Sequence, residues 1–211
     1  MDIEIKLLTL SPIQQNTRIL IAGKEALIID PAGDADIIIN FLEQRELTLT
    51  QIWLTHSHLD HCGGVYDLMT RYPTTKLFGH PDEKLFRAHV EDICASYGIP
   101  PGSMKNCPEP TDYIIGGEHL SFGGLTFEAL FTPGHAPGHI AFYQGDSGLL
   151  FAGDTLFAGS IGRTDLPGGD HNLLIRMIKE KILTLPDQTK VLSGHGPDTT
   201  VGAEKKGNPF L

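Results

Sequence analysis

Apolar and polar positions alternate over residues 3–10, and short apolar runs recur over 17–22 and 26–30 with turn residues between them, a period that predicts three strands opening the chain as a meander. Ile37, Ile38, Phe41 and Leu42 then fall at helical spacing, which predicts an amphipathic helix over 34–44 with Asp34 or Asp36 able to cap it. A strand over 51–54 runs directly into a histidine-rich segment. Helices are expected over 64–71 and 81–96, around a short strand at 76–78; Gly98, Pro100 and Pro101 end the second helix.

A Pro- and Gly-rich stretch, 100–117, separates this pattern from a second one. Strands over 119–122 and 125–131 meet through Gly123-Gly124 as a hairpin, and strands over 140–144 and 149–152 follow. A helix over 172–183 and a strand over 190–192 complete the series. Each half therefore runs strands first, then helix and strand, and two mixed or antiparallel sheets packed face to face with helices outside, a four-layer sandwich, is the expected architecture.

The chain has 211 residues, 40% hydrophobic and 20% charged, which excludes a disordered or fibrous protein and suits one large domain or two small, intimately packed ones. Sixteen Lys and Arg against twenty-six Asp and Glu leave a formal charge of -10, the wrong sign for a nonspecific nucleic-acid or anionic-membrane binder. No apolar run approaches the roughly 18 residues of a membrane span. Residues 1–10 lack the basic run and apolar stretch of a signal peptide, so a soluble cytoplasmic protein is expected. Three cysteines, Cys62, Cys94 and Cys107, without CxxC spacing, read as reduced structural residues.

The chemistry concentrates in Thr55-His56-Ser57-His58-Leu59-Asp60-His61-Cys62-Gly63-Gly64, just after a predicted strand. Histidines two apart on an extended segment point the same way, so His56 and His58 can grip one ion while Asp60 and His61 face a neighbouring position. Three later segments place a ligand-type residue beside glycine after an apolar strand: Thr132-Pro133-Gly134-His135, Ala152-Gly153-Asp154 and Ser193-Gly194-His195-Gly196. Glycine permits close backbone approach to an ion, and a strand end aims a side chain rigidly.

These residues resemble the metallo-β-lactamase superfamily, whose HxHxDH motif is matched by His56, His58, Asp60 and His61, with His135, Asp154 and His195 matching its remaining ligand motifs. The resemblance implies an α+β fold, the four-layer αββα sandwich, as a single domain over 1–211. It implies two divalent metal ions, taken as zinc with iron or manganese as alternatives: His56, His58 and His135 on the first, Asp60, His61 and His195 on the second, Asp154 bridging. Asp154, the Gly162-Arg163-Thr164-Asp165 stretch and the segment from Gly194 resemble the type II glyoxalases (hydroxyacylglutathione hydrolases) of the short bacterial YcbL-like class, here without the carboxy-terminal helical domain of longer members.

The function so implied is metal-dependent hydrolysis of a glutathione thioester, S-D-lactoylglutathione, to D-lactate and glutathione in methylglyoxal detoxification. Hydroxide generated at the metals is the nucleophile, and Asp60 is the catalytic residue that orients it. The main alternative is a persulfide dioxygenase using one iron on His56, His135 and Asp154; a hydrolase of another small ester or thioester is a further one. A β-lactamase fits less well, since those enzymes usually lack the bridging aspartate. His80, His89, His119, His139 and His171 are expected at the surface or in packing, Arg163 and Asp165 in a mutual pair or beside a ligand histidine, and Lys205 and Lys206 on a solvated tail.

Overall fold

A computed structural model describes residues 3–211; the reading of the amino terminus begins at Met1 and Asp2, which lie outside the described residues. The chain divides into two compact units, one running to Tyr113 and including Phe122–Gly124, the other Ile114–Ser121 with Leu125–Leu211.

The first unit follows the predicted meander: β1 (Glu4–Leu10), β2 (Gln15–Ala22) and β3 (Glu25–Ile29) pair antiparallel in sequence. Helix α1 (Ala35–Gln44) crosses over to β4 (Thr48–Trp53), which pairs parallel to β3. Ala35, Ile38 and Leu42 form the buried stripe of α1, as the helical spacing requires. Asp34 stands at its N-cap in a left-handed conformation, but its carboxylate accepts the Ser11 N–H at 2.8 Å, so the expected side-chain cap is absent. Short helices α2 (Leu59–Cys62) and α3 (Val65–Arg71) lead to β5 (Lys76–Gly79). The single helix expected over 81–96 is broken: a 3-10 turn (Pro81–Glu83) and α4 (Lys84–Ala88) stop at His89, whose φ of -124° leaves the helical range, before α5 (Val90–Ser96). The two-residue strand β6 (Asp112–Tyr113), hidden in the Pro/Gly-rich stretch, completes a mixed sheet of order β1-β2-β3-β4-β5-β6. Ile19, Ile28, Ile38, Leu42, Ile52, Val65 and Leu68 are among its core.

The second unit carries β7 (His119–Phe122), β8 (Leu125–Phe131), β9 (Ile140–Gln144) and β10 (Leu149–Gly153), the last three antiparallel in turn. A small hairpin, β11 (Leu156–Phe157) with β12 (Ser160–Ile161), was not foreseen, being too short for any period to register. Helix α6 (His171–Met177) is capped by Asp170 and continues as a π-helical turn, Ile178–Ile182, in place of one uninterrupted helix. Strand β13 (Lys190–Ser193) pairs parallel to β10, and β14 (Thr199–Thr200) extends the sheet to the order β14-β13-β10-β9-β8-β7. The expected tail is helix α7 (Val201–Gly207), capped by Thr200, in which Lys205 Nζ lies 2.6 Å from Asp187. Leu150, Leu174, Ile178, Val191 and Val201 pack in this unit's core.

The two parallel pairs position the chemistry. Strands β3 and β4 share a direction, so Asp30 and Thr55 leave at the same carboxyl end; β10 and β13 do the same for Asp154 and His195. No helix of the described residues is long and apolar enough to cross a membrane.

Candidate metal centre

In the first unit, β4 ends at Trp53 and the chain passes through Thr55 into the His56–His61 segment. Asp30, just past β3, anchors this turn. Its carboxylate accepts the Thr55 N–H at 2.7 Å on one oxygen, and the Thr55 hydroxyl at 2.7 Å and His61 Nδ1 at 3.0 Å on the other. Asp30 is only 2% exposed and adopts φ 53°, a left-handed conformation that costs an aspartate little because short polar side chains tolerate it. Gly64 is required just after: a Cβ there would meet the Ala32 carbonyl oxygen at 2.2 Å.

These bonds fix the histidine tautomers. The Thr55 hydroxyl spends its proton on Asp30, so its oxygen accepts from His56 Nδ1 at 3.0 Å and His56 presents a lone pair at Nε2. Asp30 likewise takes the Nδ1 proton of His61, leaving Nε2 as its donor atom. His56 Nε2 and His58 Nδ1 stand 3.0 Å apart, and His61 Nε2 and Asp60 Oδ2 3.7 Å apart. Two ligands at about 2.0–2.1 Å from a tetrahedral ion lie roughly 3.3 Å from each other, a separation that both pairs approach within about 0.4 Å, the shorter being a hydrogen-bond distance as well. Ser57, between the histidines, is held from behind: Glu83, fully buried, accepts its N–H at 2.9 Å. Arg87, 1% exposed, spans from the His80 carbonyl at 2.8 Å to Glu109 at 3.0 Å. Burial alone would raise the Glu109 carboxyl, but the Arg87 and Tyr113 hydrogen bonds outweigh it and hold the group below its ordinary value.

The second unit gathers His135, Asp154 and His195. Asp154 Oδ2 lies 3.6 Å from His135 Nε2 and 3.5 Å from His195 Nε2, so one carboxylate oxygen faces two histidines. His135 Nδ1 donates to the Arg163 carbonyl at 2.7 Å, which again reserves Nε2 for a ligand. The Arg163 side chain does something else: it forms a two-bond pair with Asp165, at 2.8 and 2.7 Å, and this hydrogen bonding lowers the Asp165 carboxyl to about 2. Gly162 packs so closely that a Cβ would sit 1.9 Å from the Asp154 carbonyl oxygen and 3.1 Å from His135 Cβ.

Two residues that shape these clusters were not singled out from the sequence, Asp30 and Glu83, and Thr55 stood in the histidine-rich segment without a role. His139, expected in packing or at the surface, is buried and accepts the Asp154 N–H at 3.1 Å. His80 is buried as well and caps the 3-10 turn through the Asp82 N–H, whereas His89, His119 and His171 are exposed as expected. All three cysteines are free and buried; the Cys62 thiol is raised well above its ordinary value by hydrogen bonding with Cys107 and by burial.

A sequence model of the metallo-β-lactamase superfamily matches residues 10–195. The chain belongs to this superfamily. Metallo-β-lactamase relatives extend along the whole chain. The hydroxyacylglutathione hydrolase GloC of Haemophilus influenzae is 36% identical over 208 residues, 98% of this chain and 97% of its own. Among solved structures, the BLEG-1 B3 metallo-β-lactamase is 41% identical and superposes with a TM-score of 0.88 over 99% of both chains. TTHA1623, solved in a di-iron-bound form, is 34% identical with a TM-score of 0.88, covering 98% of this chain and all of that one. The α+β metallo-β-lactamase fold expected from the motifs is thus the fold of this protein, an enzyme of a metal-binding hydrolase superfamily. The His/Asp donor sets suit divalent metals of several kinds.

Proposed function

We propose that this metallo-β-lactamase relative hydrolyses S-D-lactoylglutathione at a two-metal centre, with His56, His58 and His135 on one ion, Asp60, His61 and His195 on the other, and Asp154 shared. The observation that carries the reading is the Asp154 oxygen set 3.6 and 3.5 Å from His135 and His195, histidines assigned to different ions, which is where a bridging carboxylate belongs. The 36% identical relative named as a hydroxyacylglutathione hydrolase supports the substrate class.

Two divalent ions held here would supply a water acidified toward neutrality and a Lewis acid for the thioester carbonyl. The chain's own part is orientation. Asp30, Thr55 and the Arg163 carbonyl aim imidazole nitrogens, and Asp60 would hold one ion and orient the water bound to it. The leaving thiol, with a conjugate acid of pKa ~8.5, departs as thiolate without a dedicated acid. With Asp60 and Asp154 as its anionic ligands, a centre holding two divalent ions would keep a net positive charge in a chain of net charge -10 and would attract an anionic glutathione conjugate.

The deciding experiment measures metal per chain and, on the same sample, S-lactoylglutathione hydrolysis, oxygen uptake on glutathione persulfide and cleavage of a chromogenic β-lactam. Two metals with thioester hydrolysis, abolished in a folded Asp60→Ala variant, is the expected result. One iron with oxygen consumption moves the protein to the dioxygenase reading. β-Lactam cleavage without thioester turnover aligns it with the 41% identical B3 structure and overturns the proposal.

A further inference from the structure

We propose that His139 is a positioning residue that sets the bridging carboxylate of Asp154 against His135. The inference rests on the reading of His135, Asp154 and His195 as metal ligands.

The ring of His139 is fully buried. Its Nε2 lies 3.1 Å from the Asp154 amide nitrogen, which can only donate, so Nε2 carries a lone pair and the proton sits on Nδ1. That proton is received by Thr132 Oγ1 at 2.9 Å, and the Thr155 hydroxyl, 3.1 Å from Nδ1, donates to Thr132 at 3.2 Å. Both threonines are fully buried, so the imidazole is locked in rotation as well as in tautomer.

This lock acts at a particular place. Strand β10 leaves its register with β13 between Phe151 and Gly153, and Gly153 turns at φ 49°. The Asp154 N–H that emerges finds a side-chain nitrogen as acceptor, and this bond orients the peptide plane from which the carboxylate hangs. The same imidazole meets the ring of His135 edge-on at 6.2 Å between centroids. One side chain therefore touches the main chain of one ligand and the ring of another, and holds the 3.6 Å spacing between them. A histidine that only filled space would need neither an N–H donor at Nε2 nor two hydroxyls at Nδ1.

Cobalt(II) titration of the metal-free protein tests this, read by the ligand-field spectrum and the binding isotherm. His139→Gln keeps an acceptor near the Nε2 position, His139→Asn is too short, and His139→Leu removes the acceptor. Cobalt affinity is expected to fall about 10- to 100-fold in the Leu and Asn variants, with an altered spectrum, and to return to within about threefold of the parent in Gln. A folded Leu variant with the parent's isotherm and spectrum overturns the inference. If Leu does not fold, the Gln and Asn pair decides, and Gln no better than Asn overturns it. A parent protein that takes up no cobalt overturns the metal-centre reading itself, a result distinct from any difference among variants.

Discussion

Asp30→Asn tests the tautomer argument at one oxygen, the one shared by His61 and the Thr55 hydroxyl. Asparagine tolerates the left-handed backbone at φ 53° and keeps an oxygen for the Thr55 N–H, so the turn after β4 should survive. The second carboxylate oxygen, 3.0 Å from His61 Nδ1, becomes an amide nitrogen that can only donate. His61 then accepts at Nδ1 and carries its proton on Nε2, the atom that must be bare to bind an ion. Restoring the binding tautomer sets donor against donor and forfeits a hydrogen bond to a charged group, a loss of about 1.5–3 kcal/mol. Loss of the partner of a metal-binding imidazole independently costs about 10- to 100-fold in affinity, or about 1.4–2.8 kcal/mol. The two estimates agree. The same oxygen accepts the Thr55 hydroxyl, whose bond sets the His56 tautomer, so competition against a chromophoric chelator should show the ion assigned to Asp60, His61 and His195 weakened by at least that factor and the ion assigned to His56 weakened with it, with far-ultraviolet circular dichroism unchanged. An Asp30→Asn protein that binds both ions within twofold of the parent would refute the tautomer assignment.

Other outcomes follow from the same geometry. Gly162→Ala should lower Tm by an amount matching about 3 kcal/mol or more, because its methyl would lie 1.9 Å from the Asp154 carbonyl and only backbone movement relieves the clash; a Tm within 2 °C of the parent contradicts the packing. Cys62, with its thiol raised by Cys107 and by burial, should resist iodoacetamide at pH 8 in the folded state and react once guanidinium unfolds the chain, as peptide mass analysis would reveal. Glu109 is held below its ordinary value by Arg87 and Tyr113, so its share of stability is complete above the unfolded carboxyl value near ~4.3 and fades as pH falls through its folded value. Glu109→Gln should therefore lose less Tm between pH 6 and 3 than the parent; equal losses would show the pair to be inert.

The His and Asp clusters were legible because their residues are chemically loud: His56, His58, Asp60 and His61 share one turn of chain, and His135, Asp154 and His195 each sit beside glycine after an apolar run. The residues that tune them were silent for a physical reason. Asp30 and Thr55 meet only because β3 and β4 are parallel neighbours, and pairing across 25 positions leaves no trace in local periodicity. His139 reads as packing and is buried, its bond to the Asp154 amide visible only in the fold, and His135 bonds the Arg163 carbonyl, a group that every residue possesses. Among the elements, period-based reading recovered the long strands and α1 but passed over β6, β11, β12 and β14, each two residues long, and α7, whose Gly202 and paired lysines resemble a loop. The interruption at His89 follows from a local dihedral change that apolar spacing does not encode.

The parallel pairing of β10 with β13 also bears on how this scaffold tolerates change. Since Asp154 and His195 both emerge where these strands finish, segments joined to the opposite ends, such as the turn around Gly148 that bonds to Lys190, can be lengthened or recut without displacing either side chain. Extra residues grafted between Gly153 and Asp154, or between Ser193 and His195, would shift a donor atom by a full residue. A library for new substrates should accordingly spare those two junctions and spend its diversity further along the loops they begin.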